Sequence, residues 1–197
     1  MKNNKIKEIK TLVETKFVGL FEVKYKNKLG NDRTWMVASR KSKEELGEIY
    51  LNDKEGEIDA VVIAAYHKGY DKLVLIKQFR VPINDYVIEI PAGLVDGKEN
   101  FEDAVRRELK EETGLDLVEI DKENTKEKVY ASVGVTDESV ALVKCTCDGV
   151  VSTDNLEDDE DLEVILVSKE EAKKLIKSNV KIDVKSYLAL QNFIMED

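Results

Sequence analysis

Between Asn100 and Gly114 the chain spells out a helix with its own start and stop signals, and with two carboxylates where a buried face should be apolar. Asn100 can cap the start, with Asp103 at the third helical position, and Gly114 is placed to end it in the left-handed conformation. At roughly 100° per residue, Phe101, Ala104 and Val105 define an apolar stripe. Glu108 and Glu112 fall inside that stripe, one turn apart, and Glu111 lies at its edge. Two carboxylates turned inward repel each other and lose hydration, so a cation must compensate. Oxygen-only donors favour Mg²⁺ or Mn²⁺ over zinc. The same residues also read as a solvated acidic face laced by pairs such as Arg107 with Glu111, and the helix alone does not choose.

The flanking sequence predicts the layers around this helix. Residues 16–25 and 34–39 read as strands joined by a turn at 27–32, and 44–50 is ambiguous. Residues 60–66 and 72–79 are β-type runs, and 86–90 is a short strand stopped by Pro91. Strands at 129–131, 140–146 and Leu162–Val167 follow, then helices at Lys169–Lys177 and Val184–Met195. Antiparallel strands with three helices predict an α+β fold, a mixed sheet covered on both faces.

With 197 residues, 42% of them hydrophobic, the chain can bury a real core, as one domain with an appendage or as two small ones. Its net charge of −10 argues against wrapping nucleic acid. The charge is uneven, lysine-rich over 1–45 and acidic over 154–163, so any phosphate ligand must meet locally recruited cations. The charged N-terminus predicts no signal peptide, and no apolar run approaches the roughly 20 residues of a membrane span. A cytoplasmic location without membrane partners is expected. Cys145 and Cys147, the only cysteines, would share one face of a strand. They are too close for an ordinary disulfide and, even with the lone His67, too few for a zinc site. They read as thiols in a reducing compartment.

Gly93 is followed after five residues by Glu99, and after seven more by Arg107-Glu108-Leu109-Lys110-Glu111-Glu112-Thr113-Gly114-Leu115. This spacing resembles the Nudix box at every defining position. The resemblance implies an α/β/α Nudix sandwich in which a loop, helix and loop bind metal on a substrate diphosphate. Glu108, Glu112 and the backbone carbonyl of Ala92 would be the metal ligands, with Mg²⁺ or possible Mn²⁺. Glu111 would stand nearby, and Arg107 and Glu99 would orient the ligands.

Lys77-Gln78-Phe79-Arg80 and Ile88-Glu89-Ile90-Pro91-Ala92-Gly93-Leu94 resemble the ADP-sugar pyrophosphatase branch, typified by ADP-ribose pyrophosphatases. So do Arg33-Thr34-Trp35 with Arg40, and the segments 158–164 and 182–186. The branch implies a small N-terminal antiparallel β subdomain, residues 1–55, for dimerisation and the base pocket, ahead of a Nudix hydrolase domain, residues 56–197. It implies a homodimer that hydrolyses a nucleoside diphosphate sugar, with ADP-ribose giving AMP and ribose 5-phosphate. Phe17 and Trp35 match the aromatics that sandwich adenine, although either ring could instead be core. Arg40 and Arg80 would grip phosphate or the terminal ribose, unless they form surface salt bridges. Leu94 and Glu138 would be further substrate contacts. Glu160, with Asp159 or Glu157 in its place, would activate water from a mobile loop, and Glu138 in Gly134-Val135-Thr136-Asp137-Glu138 is the second candidate. Val133 stands where the family carries proline. Another nucleotide sugar, such as GDP-mannose, is the alternative substrate. A non-catalytic Nudix sensor is the alternative of a different class, against which the complete carboxylate set argues.

Overall fold

The first three strands make a sheet of their own. In the computed structural model, which describes residues 5–97, 99–156 and 160–196, β1 (Ile6–Glu14), β2 (Gly19–Lys26) and β3 (Asp32–Ser39) pair antiparallel in the order β1-β2-β3. Strand β1 was not expected. Only Ile9 is buried in it, and register shifts near Ile6 and Thr11 spoil the period-two pattern that betrays a strand. The ambiguous stretch 44–50 is helical: α1 (Lys43–Leu51) starts on a reciprocal capping box between Ser42 and Glu45. Leu46 of α1 joins Ile9, Phe21 and Val23 in a small core. This compact unit runs to Asp59 and also takes in Lys128–Val140. That segment is tied to β3 by a hydrogen bond from the Ala38 N–H to the Val135 carbonyl, 2.9 Å.

The second unit, Ala60–Glu127 with Ala141–Asp197, is built on a mixed eight-stranded sheet. The strands of this sheet are β4 (Ala60–His67), β5 (Lys72–Arg80), β6 (Asp85–Glu89), β7 (Ala92–Leu94), β8 (Asp116–Ile120), β9 (Lys126–Tyr130), β10 (Ser139–Asp148) and β11 (Leu162–Val167), of which residues 128–130 and 139–140 fall in the segment counted with the first unit. The main path is β11-β5-β4-β10-β8, with β6 on β5, β7 on β4 and β9 on β10. Leu73, Val74, Leu75 and Ile76 of β5 are all fully buried. Successive side chains of a strand point to opposite faces, so both faces of the sheet are covered. Helix α2 (Phe101–Thr113) packs on β4, β7 and β8; α3 (Lys169–Lys177) lies on β11, and α4 (Val184–Met195) on β5 and β6. This is the α+β arrangement expected. Strands β7 and β8 had no signal: one is three residues long, and the other buries only Leu117.

Cys145 and Cys147 are free and buried, and burial pushes both thiols up to about 12. His67 is also buried, stacked on Tyr70 with Nε2 3.0 Å from the Gly149 carbonyl oxygen. Among the described residues, no helix is long and apolar enough to cross a membrane.

Candidate active site

Helix α2 begins where Asn100 Oδ1 accepts the Asp103 N–H at 3.0 Å. It stops where Gly114, at φ 73°, donates its N–H to the Lys110 carbonyl at 3.0 Å. Ala104, Val105 and Leu109 are fully buried along the predicted stripe, and the two acids are buried with them, Glu108 8% and Glu112 2% exposed. Glu112 Oε2 accepts the Ala92 N–H at 3.1 Å, which ties the carboxylate to β7. Burial, and then the charges of Glu108 and Glu160, push Glu112 up to about 8. Burial raises Glu108 as well; Arg107 opposes the shift, while Glu111 and Glu160 add to it.

Gly93 makes room for this pair. A β-carbon at position 93 would lie 1.9 Å from Glu108 Cδ, so the carboxylate occupies the place a side chain would fill. Arg107 then ties the helix to the preceding loop. Its Nη1 donates to Glu108 Oε1 at 2.7 Å and to Glu111 Oε2 at 3.1 Å. Its Nη2 donates to Glu99 Oε1 at 2.6 Å and to the Leu94 carbonyl at 2.9 Å. Hydrogen bonding to Arg107 holds Glu99 below its ordinary range, and Glu99 in turn accepts the Asp96 N–H at 2.7 Å. The Arg107–Glu111 pair of the solvated-face reading is therefore real, but it is one contact in a network that also holds the buried Glu108 and the half-buried Glu99.

The sheet contributes a second group. Arg80 grips Glu89 through two hydrogen bonds, Nε to Oε1 at 2.9 Å and Nη2 to Oε2 at 2.6 Å. The sequence did not single out Glu89; its only signal was a lone acid between Ile88 and Ile90, just ahead of Pro91. Pairing of Ile76 with Glu89, and of Leu162 with Gln78, sets these residues, together with Arg80, on one sheet face. Glu160, two residues before β11, is near enough for its charge to act on both Glu108 and Glu112. Glu157 and Asp159, the other candidates on that loop, lie outside the described residues.

The remaining predicted residues belong to the first unit. Trp35 is 53% exposed and donates its Nε1–H to the Gly134 carbonyl at 3.2 Å. Phe17 is 68% exposed, with Lys16 Nζ 4.9 Å from its ring centre. Neither ring is core. Arg40 Nε donates to Glu138 Oε1 at 3.0 Å, so the second candidate for activating water is engaged by an arginine.

Among the described residues, no three His, Cys, Asp or Glu side chains make a ready metal-binding group. The Glu108–Glu112 pair nevertheless fits a hard divalent cation. It offers only carboxylate oxygens, and burial disfavours charge on both acids, a cost that a bound cation would relieve.

Residues 56–188 match the family model described as NUDIX domain. An ADP-ribose pyrophosphatase of Saccharomyces cerevisiae is 32% identical over 202 aligned positions, which cover 96% of this chain and 82% of that protein. An ADP-ribose pyrophosphatase of Bacillus subtilis is 35% identical over 131 positions, 66% of this chain and 68% of the relative. The crystal structure of an ADP compounds hydrolase shares the fold, with a TM-score of 0.68 at 18% identity, covering 94% of this chain and 89% of the other. The family match takes in the whole of the Glu99–Arg107–Glu108–Glu112 network, and this chain is a Nudix hydrolase, a member of the NUDIX domain family.

Proposed function

We propose that this enzyme hydrolyses the diphosphate linkage of ADP-ribose or a related ADP-sugar, giving AMP and a sugar phosphate. The observation that carries the chemistry is the buried Glu108–Glu112 pair seated against Gly93. The names of the yeast and Bacillus relatives support the choice of ADP-ribose.

Glu108, Glu112 and the Ala92 carbonyl would hold a divalent ion, Mg²⁺ or Mn²⁺. When bound, such an ion neutralises diphosphate oxygens and lowers the pKa of a coordinated water. Arg107, fixed by Glu99 and the Leu94 carbonyl, keeps Glu108 in place, with Glu111 beside it. Arg80 carries positive charge for a phosphate or ribose oxygen, oriented by Glu89. Glu160 would accept the proton of the attacking water, a role its proximity to the pair supports. Phe17 and Trp35 would stack on the base, with Arg40, Glu138 and Leu94 as further substrate contacts. In this division of labour residues 1–55 serve base recognition and homodimerisation, and residues 56–197 serve hydrolysis. We place the enzyme in the cytoplasm.

The test is a substrate panel of ADP-ribose, ADP-glucose and GDP-mannose with purified protein, with Mg²⁺ or with a chelator. AMP release from ADP-ribose at the highest kcat/KM, abolished by chelation, is expected. A preference for GDP-mannose would overturn the base assignment. No metal-dependent turnover on any of the three would overturn the enzymatic reading of the site.

A further inference from the structure

Beside the more exposed Arg40–Glu138 pair lies a largely covered one. Lys41 Nζ is 2.5 Å from Asp59 Oδ1 and 3.6 Å from Asp137 Oδ2, and the three side chains are only 13%, 9% and 14% exposed. Asp59 is committed further: its Oδ2 accepts the Ser139 N–H at 2.8 Å, and its own N–H donates to the Ser139 carbonyl at 2.7 Å. The Lys41 N–H is anchored on Ser39 Oγ at 3.0 Å. A largely covered ion pair is costly to leave half-made, so its three members hold one another in place. Backbone hydrogen bonds hold two points of the segment, Val135 on Ala38 and Ser139 on Asp59, and the side-chain ties beside them are weaker. Arg40 and Glu138 are 43% and 29% exposed at their side chains, and solvent screens their attraction. The Trp35–Gly134 hydrogen bond is also solvent-exposed.

We propose that Lys41 is a positioning residue. By joining Asp59 to Asp137 it holds the 132–139 segment against β3, so that Trp35 keeps its contact to Gly134 and Arg40 its contact to Glu138. Asp137 also walls an apolar slot of about 270 Å³ lined by Trp35, Tyr50, Tyr130, Val133 and Val135. Among the described residues its Oδ1 is buried without a hydrogen-bond partner, and Lys41 is the cation within ion-pair distance of its carboxylate. Loss of Lys41 would therefore loosen the segment between its two backbone ties, where it shapes one side of the Trp35 ring. The proposal rests on the reading that Trp35 and Arg40 contact substrate.

Trp35 is the only tryptophan, so intrinsic fluorescence reports on this place alone. In Lys41→Met the emission should move to longer wavelength and acrylamide quenching should rise, with Asp59→Asn intermediate and Lys41→Arg close to wild type. KM for ADP-ribose should rise about tenfold in Lys41→Met while kcat stays within about twofold, the pattern of lost ground-state binding. If Lys41→Met does not fold, the triple variant Lys41→Met/Asp59→Asn/Asp137→Asn removes all three charges, keeps an acceptor for the Ser139 N–H, and should fold with the same loosened tryptophan. Unchanged emission, quenching and KM in a folded variant would overturn the proposal, and so would a loss confined to kcat. Should the wild-type enzyme ignore ADP-ribose, the substrate reading fails, while the fluorescence comparison still decides the role of Lys41.

Discussion

The carboxylate of Glu108 rests on the α-carbon of Gly93: a β-carbon added there would lie 2.0 and 2.2 Å from its two oxygens. Gly93 is not among the glycines with positive φ, so its demand is for space and not for backbone freedom. Gly93→Ala should therefore leave the sheet intact and expel Glu108 from its contact with Arg107. A displacement of about 1 Å at a catalytic centre can cost 10²-fold, and a loss of kcat of at least about that size is expected. Kinetics beside a thermal melt checks this; an alanine variant with normal turnover would mean that Glu108 need not sit where it does.

Glu112 predicts how the metal-free protein responds to pH. Its carboxyl is raised from 4.5 to about 8 in the folded state, chiefly by burial and by Glu108. Between those values Glu112 binds more proton in the native state than in the unfolded chain, so its contribution to stability is full below about 4.5, falls as pH rises, and is lost above about 8. The total is on the order of a few kcal/mol, enough to move Tm by roughly 10 °C. Melts in chelator across that range should show the slope. Glu112→Gln should flatten it, and saturating Mg²⁺ should also flatten it by favouring the charged form. A slope that survives both would assign the effect to other groups. The same substitution should lower turnover by orders of magnitude, since an anionic ligand is lost.

How much of this was legible depended on how local each signal was. Helix α2 could be read residue by residue because cap, stripe and stop all lie within fifteen positions and agree. The buried acids announced themselves by sitting in the stripe. Glu89 did not, because its meaning depends on Arg80, nine residues away across a strand pairing that sequence alone does not register. The roles left open for the arginines show the same limit: Arg40 and Arg80 do form the salt bridges considered for them, and a pair does not decide whether a ligand also binds. Strand β1 stayed hidden because a mostly exposed strand with register shifts carries almost no hydrophobic period.

Glu160 and Glu138 can be separated by kinetics. The charge of Glu160 acts on both Glu108 and Glu112, whereas Glu138 accepts a hydrogen bond from Arg40. Glu160→Gln should reduce kcat by about 10²-fold or more, the usual range for a general base, with little change in KM. Glu138→Gln should cost much less in kcat. If Glu138→Gln proves the more damaging of the two, the water-activating group belongs on the segment that contains Gly134 and Glu138.

Trp35 offers the sharpest test of substrate recognition. Its ring is 53% exposed, and its indole N–H is held by the Gly134 carbonyl, which fixes the ring while leaving much of its surface to solvent. A ring that is anchored but not buried suits stacking on a flat base, because little side-chain entropy remains to be lost. Stacking on a base contributes about 1–3 kcal/mol, and it is the same before and during attack at phosphorus. Trp35→Ala should therefore raise KM for ADP-ribose by about 5- to 150-fold with kcat nearly unchanged, the signature of uniform binding. Trp35→Phe, which keeps a ring but loses the bond to Gly134, should fall between the two. Because the side chain is half exposed, Tm should move little in either variant. An unchanged KM with a clearly lower Tm would make Trp35 a packing residue and remove it from the substrate site.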